Sequence, residues 1–174
     1  MTQQLDIQTK LSEIQGFESA YQYDTTYMKE MLAASPAAYE VFERFLPMAS
    51  FRQHANPEVY FTAKLTAFRM VDCGPCLQLA VRMAREGGLD AERIRKVLDA
   101  SKALPPELEM VRTFVRAILA GEADPNPLRS EIEKAYGLET VVEIALVVAS
   151  AQVFPVVKRA MGHYQSCAMV AIEV

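Results

Sequence analysis

The chain is short of the residues from which metal centres and disulfide frameworks are built. Its 174 residues include 2 histidines and 3 cysteines, and only one cysteine pair is close in sequence. That excludes the disulfide lattice of a small secreted fold. No run of Lys and Arg is present and the net charge is -4, so nothing draws the chain toward nucleic acid or an anionic membrane surface. The first ten residues, Met1 to Lys10, are polar and lack the apolar centre of a signal peptide. The expected compartment is therefore the cytoplasm, where a Cys-x-x-Cys pair is more often redox-active or metal-binding than structural. Strand-like alternation is missing over any useful length, as are repeats, low-complexity tracts and linkers. Nothing in the sequence implies a bound cofactor.

What is present is apolar residues at helical spacing. They make up 51% of the chain, enough for one well-formed core, so the expected fold is all-α in a single domain. Residues 1–24 read as a partly helical N-terminal extension, and residues 25–174 as the helical body. Asp24-Thr25-Thr26 can cap a helix through Leu32. Ser35-Pro36 opens the next, which carries Tyr39, Phe42, Phe45 and Leu46 on one face and ends at Pro47. Asn56-Pro57 opens a helix to about Val71. Cys76 to Arg85 follows, closed by Gly87-Gly88 as a left-handed stop. Asp90 caps Ala91 to Ala100, and Pro105-Pro106 opens the helix that carries Val111, Phe114 and Ile118. Gly121 to Pro127 is a loop, Leu128 to Tyr136 a short helix, and a long apolar helix starts near Glu139, with Pro155 as a possible kink. Gly162 marks a break, and a last apolar piece runs to Val174.

Val141 to Val157 is nearly all apolar, but seventeen residues is at the short limit for a bilayer span. Glu143 near one end makes a span worse. A central helix buried on all sides is the expected reading, with no membrane contact.

The informative stretch is Asp72-Cys73-Gly74-Pro75-Cys76. Two thiols three apart at a helix start place one where free N–H groups and the helix dipole stabilise a thiolate, with the other in reach to close a disulfide. Gly74-Pro75 tightens the turn. By this logic Cys73 is the exposed nucleophile, and Cys76 its resolving partner. Asp72 would raise the thiol pKa or cap the helix, the second being the expected role. Lys64 and Arg69 on the preceding helix are possible counter-charges. Inert buried thiols are the plain alternative. A metal is the other, since His163 and Cys167 lie four apart and would complete a Cys3His set with Cys73 and Cys76. A surface role is the expected one for His163. His54 lies in a polar loop with no evident partner.

These features together resemble the carboxymuconolactone decarboxylase and AhpD-like superfamily. The likeness rests on the helix opening with Asn56-Pro57, the Cys-x-x-Cys, the amphipathic helix closing at Gly87-Gly88-Leu89-Asp90, and Glu92-Arg93-Ile94-Arg95-Lys96-Val97-Leu98. Ser35-Pro36-Ala37-Ala38 and the apolar helix from Thr140 fit the same layout, over roughly residues 25 to 165. The resemblance implies an AhpD-like helical bundle, a homo-oligomer, and a dithiol that reduces hydroperoxides or relays electrons from a dihydrolipoyl partner. The dithiol carries over to Cys73 and Cys76. The histidine that the peroxidase branch has four residues after its second cysteine is Ala80 here. The glutamate twelve residues before its first is Phe61, with Glu58 one turn earlier. Phe154-Pro155, Lys158-Arg159, Gly162 and Ser166-Cys167 resemble a subgroup with the Asp-Cys-Gly-Pro-Cys form. This makes Cys167 a third redox thiol or resolving partner, and Tyr60, Lys64 and His163 candidates to replace the missing relay.

Three functions follow as expectations. The first is a thiol-dependent peroxidase or disulfide reductase, acting on a small peroxide or disulfide with a dithiol electron donor. The second is a redox-responsive helical protein without turnover. The third, ranked last, is a lyase acting on a small acid. Fold resemblance alone does not choose among them.

Overall fold

The computed structural model describes residues 7–121, 123–168 and 170–174, and among them all regular structure is helical. The helices begin where the sequence supplies caps. Ser35 Oγ accepts from the Ala38 N–H ahead of α3 (Pro36–Phe45), after α2 (Thr26–Ala34) and α1 (Ile7–Tyr21). Asn56 caps α4 (Pro57–Met70) through Val59 N–H, with Pro57 in the first turn. After α5 (Gly74–Glu86), Asp90 caps α6 (Ala91–Leu98) through Arg93 N–H. Then come α7 (Pro106–Ala120), α8 (Asn126–Tyr136) and α9 (Leu138–Ala160). Pro47 does not simply end α3; it sits in a 3-10 turn, Leu46–Ala49. The last apolar piece is not a helix either. A second 3-10 turn, Gln165–Cys167, leads into an extended tail.

The helix enclosed on every side is α4 rather than α9. Ten consecutive residues, Val59 to Phe68, are buried, because α5, α6, α7 and α9 all pack around this one helix. Its polar positions masked this in the sequence. Thr66 is accommodated by bonding back to the Thr62 carbonyl at 2.7 Å, and Lys64 by the contacts described below. Along α9, by contrast, Leu138, Val142 and Val156 are exposed. By length and composition α9 could cross a membrane, yet half of its most apolar window is buried within the fold. Glu143 on α9 is 1% exposed and accepts the backbone N–H groups of Gln53, His54 and Ala55 at 2.9, 2.8 and 2.9 Å. This carboxylate ties the loop before α4 to α9. It also gives His54 a partner the sequence did not reveal, at 3.1 Å from Nδ1.

The described part of the N-terminal extension, residues 7–24, packs on the body of its own chain. Ile14 is buried, Lys29 pairs with Glu18, and Tyr21 Oη donates to Glu86 at 2.8 Å. Arg82 on α5 binds the carbonyls of Tyr21 and Gln22. Gln22 takes a left-handed backbone (φ 45°), and the chain turns there so that Tyr23 points inward.

Candidate functional site

The dithiol sits where α4 hands over to α5. Asp72 adopts a left-handed backbone (φ 51°), and Arg159 Nη2 donates to the carbonyls of Val71 and Asp72 at 3.1 and 2.8 Å. The turn is thus held from α9. Cys73 is the N-cap of α5, and no side chain caps that end, so the Asp72 carboxylate does not serve as expected. Cys76 lies in the first helical turn, within the field of the free N–H groups.

Cys73 is not the exposed thiol that its place at the helix start suggested. Cys73 is 0% exposed and points away from solvent. Cys76, although only 2% exposed, lines a cavity of about 530 Å³ between the dithiol and α1, α2 and α3. The Cys73 thiol directs its hydrogen bond to Cys76, which pushes the Cys73 pKa well above the usual thiol range. The same bond holds the Cys76 pKa below the usual value against the opposing effect of burial. Tyr23 Oη, 3.7 Å from Cys76 Sγ, and the positive charge of Lys158 add to that depression. These contacts favour the charged form at Cys76 over that at Cys73.

Lys158 is the residue that sequence reasoning missed. It is 0% exposed, and among the described residues its Nζ has no hydrogen-bonding partner. It stands 5.0 Å from the Tyr23 ring centroid and 5.5 Å from that of Tyr27. Two aromatic faces stabilise an ammonium by a few kcal/mol at most, roughly 0.5 to 2 each, so a buried cation there calls for an anion. Asp24, the carboxylate that feels Lys158, is exposed and bound to Thr26. The Lys158 charge is also felt by the buried Cys76 thiol, whose pKa it lowers. The signal in the sequence was a lysine closing an apolar helical run, one turn beyond Phe154. Tyr23 carried no signal, since only the Gln22 turn aims it at Cys76.

Cys167 belongs to the same cluster. Its 3-10 turn packs on α5 and α9, and its thiol lies in hydrogen-bonding reach of Cys73. Burial raises the pKa of Cys167, and Cys73 raises it further. Cys73 thus lies between Cys76, in the cavity wall, and Cys167, on the side of the tail. All three are free thiols. The extended tail is fastened two residues beyond Cys76, where the Gln78 side chain and the Glu173 backbone exchange two hydrogen bonds of 2.8 Å.

The other candidates divide. Lys64 lines the same cavity as Cys76, with its amine on the Ala49 carbonyl at 3.1 Å. Tyr60 Oη also donates to Ala49, at 3.2 Å, and burial pushes its pKa up to about 12. His163 is turned to Glu30, 2.6 Å away, and stands outside any helix. The Cys3His set is not assembled, and among the described residues no group of three or more His, Cys, Asp or Glu is arranged to hold a metal ion. Arg69 is exposed, and the cation that lowers the Cys76 pKa is Lys158 of α9. Ala80 lines the cavity one turn beyond Cys76, and Phe61 lies under Gly87, so neither position supplies a proton carrier. Glu58 is bound to Arg93 at 3.0 Å.

Fold and site define an all-α, single-domain protein with a buried cluster of three thiols beside an apolar cavity. No family model, curated protein or solved structure matches the chain.

Proposed function

We propose that the chain is a thiol-dependent oxidoreductase of the alkylhydroperoxidase-like type. In this reading Cys76 is the attacking thiolate and Cys73 the resolving thiol. The observation that carries it is the position of Cys76 in the cavity wall, its thiolate favoured by Cys73, Tyr23 and the helix start, and matched by an otherwise unpaired Lys158. A lowered pKa and access are what distinguish a reactive thiol from an inert one.

The chemistry balances as follows. The Cys76 thiolate attacks the outer oxygen of a hydroperoxide, the O–O bond breaks, and the alkoxide leaves as alcohol after taking a proton delivered through Tyr23. Cys76 is then a sulfenic acid. The Cys73 thiol attacks its sulfur, releases water and closes the Cys73–Cys76 disulfide. An external dithiol reduces that disulfide and leaves as a disulfide itself. Tyr23 and Lys158 replace the histidine and glutamate of the resembling peroxidases. We place the protein in the cytoplasm as a homo-oligomer, with a peroxide or disulfide as substrate and α9 as a core helix.

Cumene hydroperoxide with dihydrolipoamide as donor tests this. The wild type consumes peroxide in steady state, and mass spectrometry of the oxidised protein shows a Cys73–Cys76 disulfide. C76S abolishes consumption. C73S reacts once and accumulates a sulfenic acid that dimedone traps on Cys76. Both thiols remaining free under excess peroxide would refute the proposal. The burial of all three thiols, at 0, 2 and 3% exposure for Cys73, Cys76 and Cys167, favours a second reading, a redox-responsive protein without turnover. Reversible disulfide formation with no steady-state consumption selects it.

A further inference from the structure

The cavity in front of Cys76 has a second chemical feature that the dithiol does not use. Its walls are apolar, formed by residues such as Ile14, Phe17, Phe68, Leu79 and Phe154, and its volume of about 530 Å³ is that of a small-molecule site. Into this surface Lys64 presents a buried amine, 3% exposed, with one full hydrogen bond to Ala49 and a weak contact of 3.2 Å to Met83 Sδ. An ammonium has three donors, so its capacity is not filled. Among the described residues no carboxylate pairs with it. Glu13 and Glu43 also line the cavity, but both are bound to Lys10, at 3.3 and 2.7 Å. Burial lowers the Lys64 pKa to about 8, which leaves most molecules charged at neutral pH.

We propose that this cavity binds a carboxylate with a long apolar tail, the head held by Lys64 and the tail running along α5 to Cys76. Lys64 is the one cation among the cavity's described lining residues, and with Glu13 and Glu43 both answered by Lys10 it is left to match one monoanionic head group. A neutral hydrocarbon would leave Lys64 unpaired. The spacing sets the tail length. Lys64 Nζ touches Met83, seven residues beyond Cys76, which is about 10 Å of helix. With C–C bonds near 1.5 Å, a zigzag chain advances about 1.25 Å per bond, so ten carbons span roughly 11 Å. Met83, unbranched and soft, lets the wall adapt to the tail. The inference rests on the proposed function only for the fate of the ligand. A fatty-acid hydroperoxide of this shape would bring its O–O bond to Cys76, and the attack is then the one balanced above.

Calorimetry on the reduced protein with decanoate and with decanol separates the head from the tail. The wild type is expected to bind decanoate about tenfold or more tightly than decanol, the gain of one charge-assisted contact. K64M, a shape-preserving change, is expected to erase that preference while still binding decanol. Equal binding of the two probes by the wild type, a preference that survives in K64M, or no binding of either would overturn the inference. The measurement involves no turnover. A protein that prefers decanoate but leaves peroxide intact keeps this inference and loses the peroxidase reading, and the converse result does the opposite.

Discussion

In the proposed chemistry Lys158 and Cys76 act together. A cation without a hydrogen-bonding partner in a protein interior is costly, and a thiolate at Cys76 would offset that cost. Replacing Lys158 by methionine keeps the volume and removes the charge, so the fold should survive. The Cys76 pKa should then rise, and the thiolate fraction near neutral pH should fall. The pH profile of iodoacetamide alkylation at Cys76, followed by mass spectrometry, is expected to shift to higher pH in K158M. Y23F should shift it in the same direction, because one hydrogen bond to the sulfur is lost. Superimposable profiles for K158M and wild type would remove Lys158 from the site.

At the scale of elements, the approach of α5 to α4 is set by one glycine. A Cβ at Gly87 would lie 2.0 Å from a ring carbon of Phe61, in the middle of the enclosed helix. Gly87 has an ordinary backbone (φ -74°), so it is space and not a left-handed turn that demands glycine there; the left-handed residue is Gly88 (φ 94°). G87A is expected to cost about 1 to 3 kcal/mol by overpacking. Gly16 in α1 makes the contrast: nothing lies within 4 Å of its added Cβ, and it is exposed in a helix interior. G16A should therefore stabilise by about 0.5 to 1 kcal/mol. Urea denaturation of the two variants should move the midpoint in opposite directions. α1 also closes the cavity through Ile14 and Phe17, so the N-terminal extension is part of the site and not an appendage.

Over the whole molecule, Glu143 joins segments about ninety residues apart. Burial pushes its carboxyl up, but the N–H groups of Ala55, His54 and Gln53 outweigh that and hold it below its ordinary 4.5. A carboxylate depressed on folding stabilises the native state fully above its unfolded pKa, and that contribution drains away as pH falls through the folded value. E143Q is expected to lose about 3 kcal/mol at pH 7, since charge-assisted bonds are worth about 1.5 to 3 kcal/mol each and do not add in full. The gap between wild type and E143Q in thermal denaturation should narrow below pH 4.5. A gap independent of pH would mean that shape and not charge holds the loop.

The caps and starts of α3, α4 and α6 were legible from residues alone, because Ser35, Asn56 and Asp90, and the prolines after the first two, act on the backbone next to them. The dithiol was legible for the same reason: three residues of spacing at a helix start is local geometry. Which thiol faces the cavity was not, because that depends on what packs around the turn. Cys76 meets Tyr23 from α1's end and Lys158 from α9, while Cys73 meets Cys167 from the tail. The enclosed helix was also misplaced by composition. The most apolar segment is α9, yet α4 lies at the centre because four helices can surround it, with Lys64 and the threonines satisfied in place. The sequence by itself determined the helices and a reactive-looking pair of thiols. Only the tertiary structure decided how the sulfurs are grouped, the cation near Cys76 and the cavity that Cys76 faces, because charge and access arise from residues brought together across the chain.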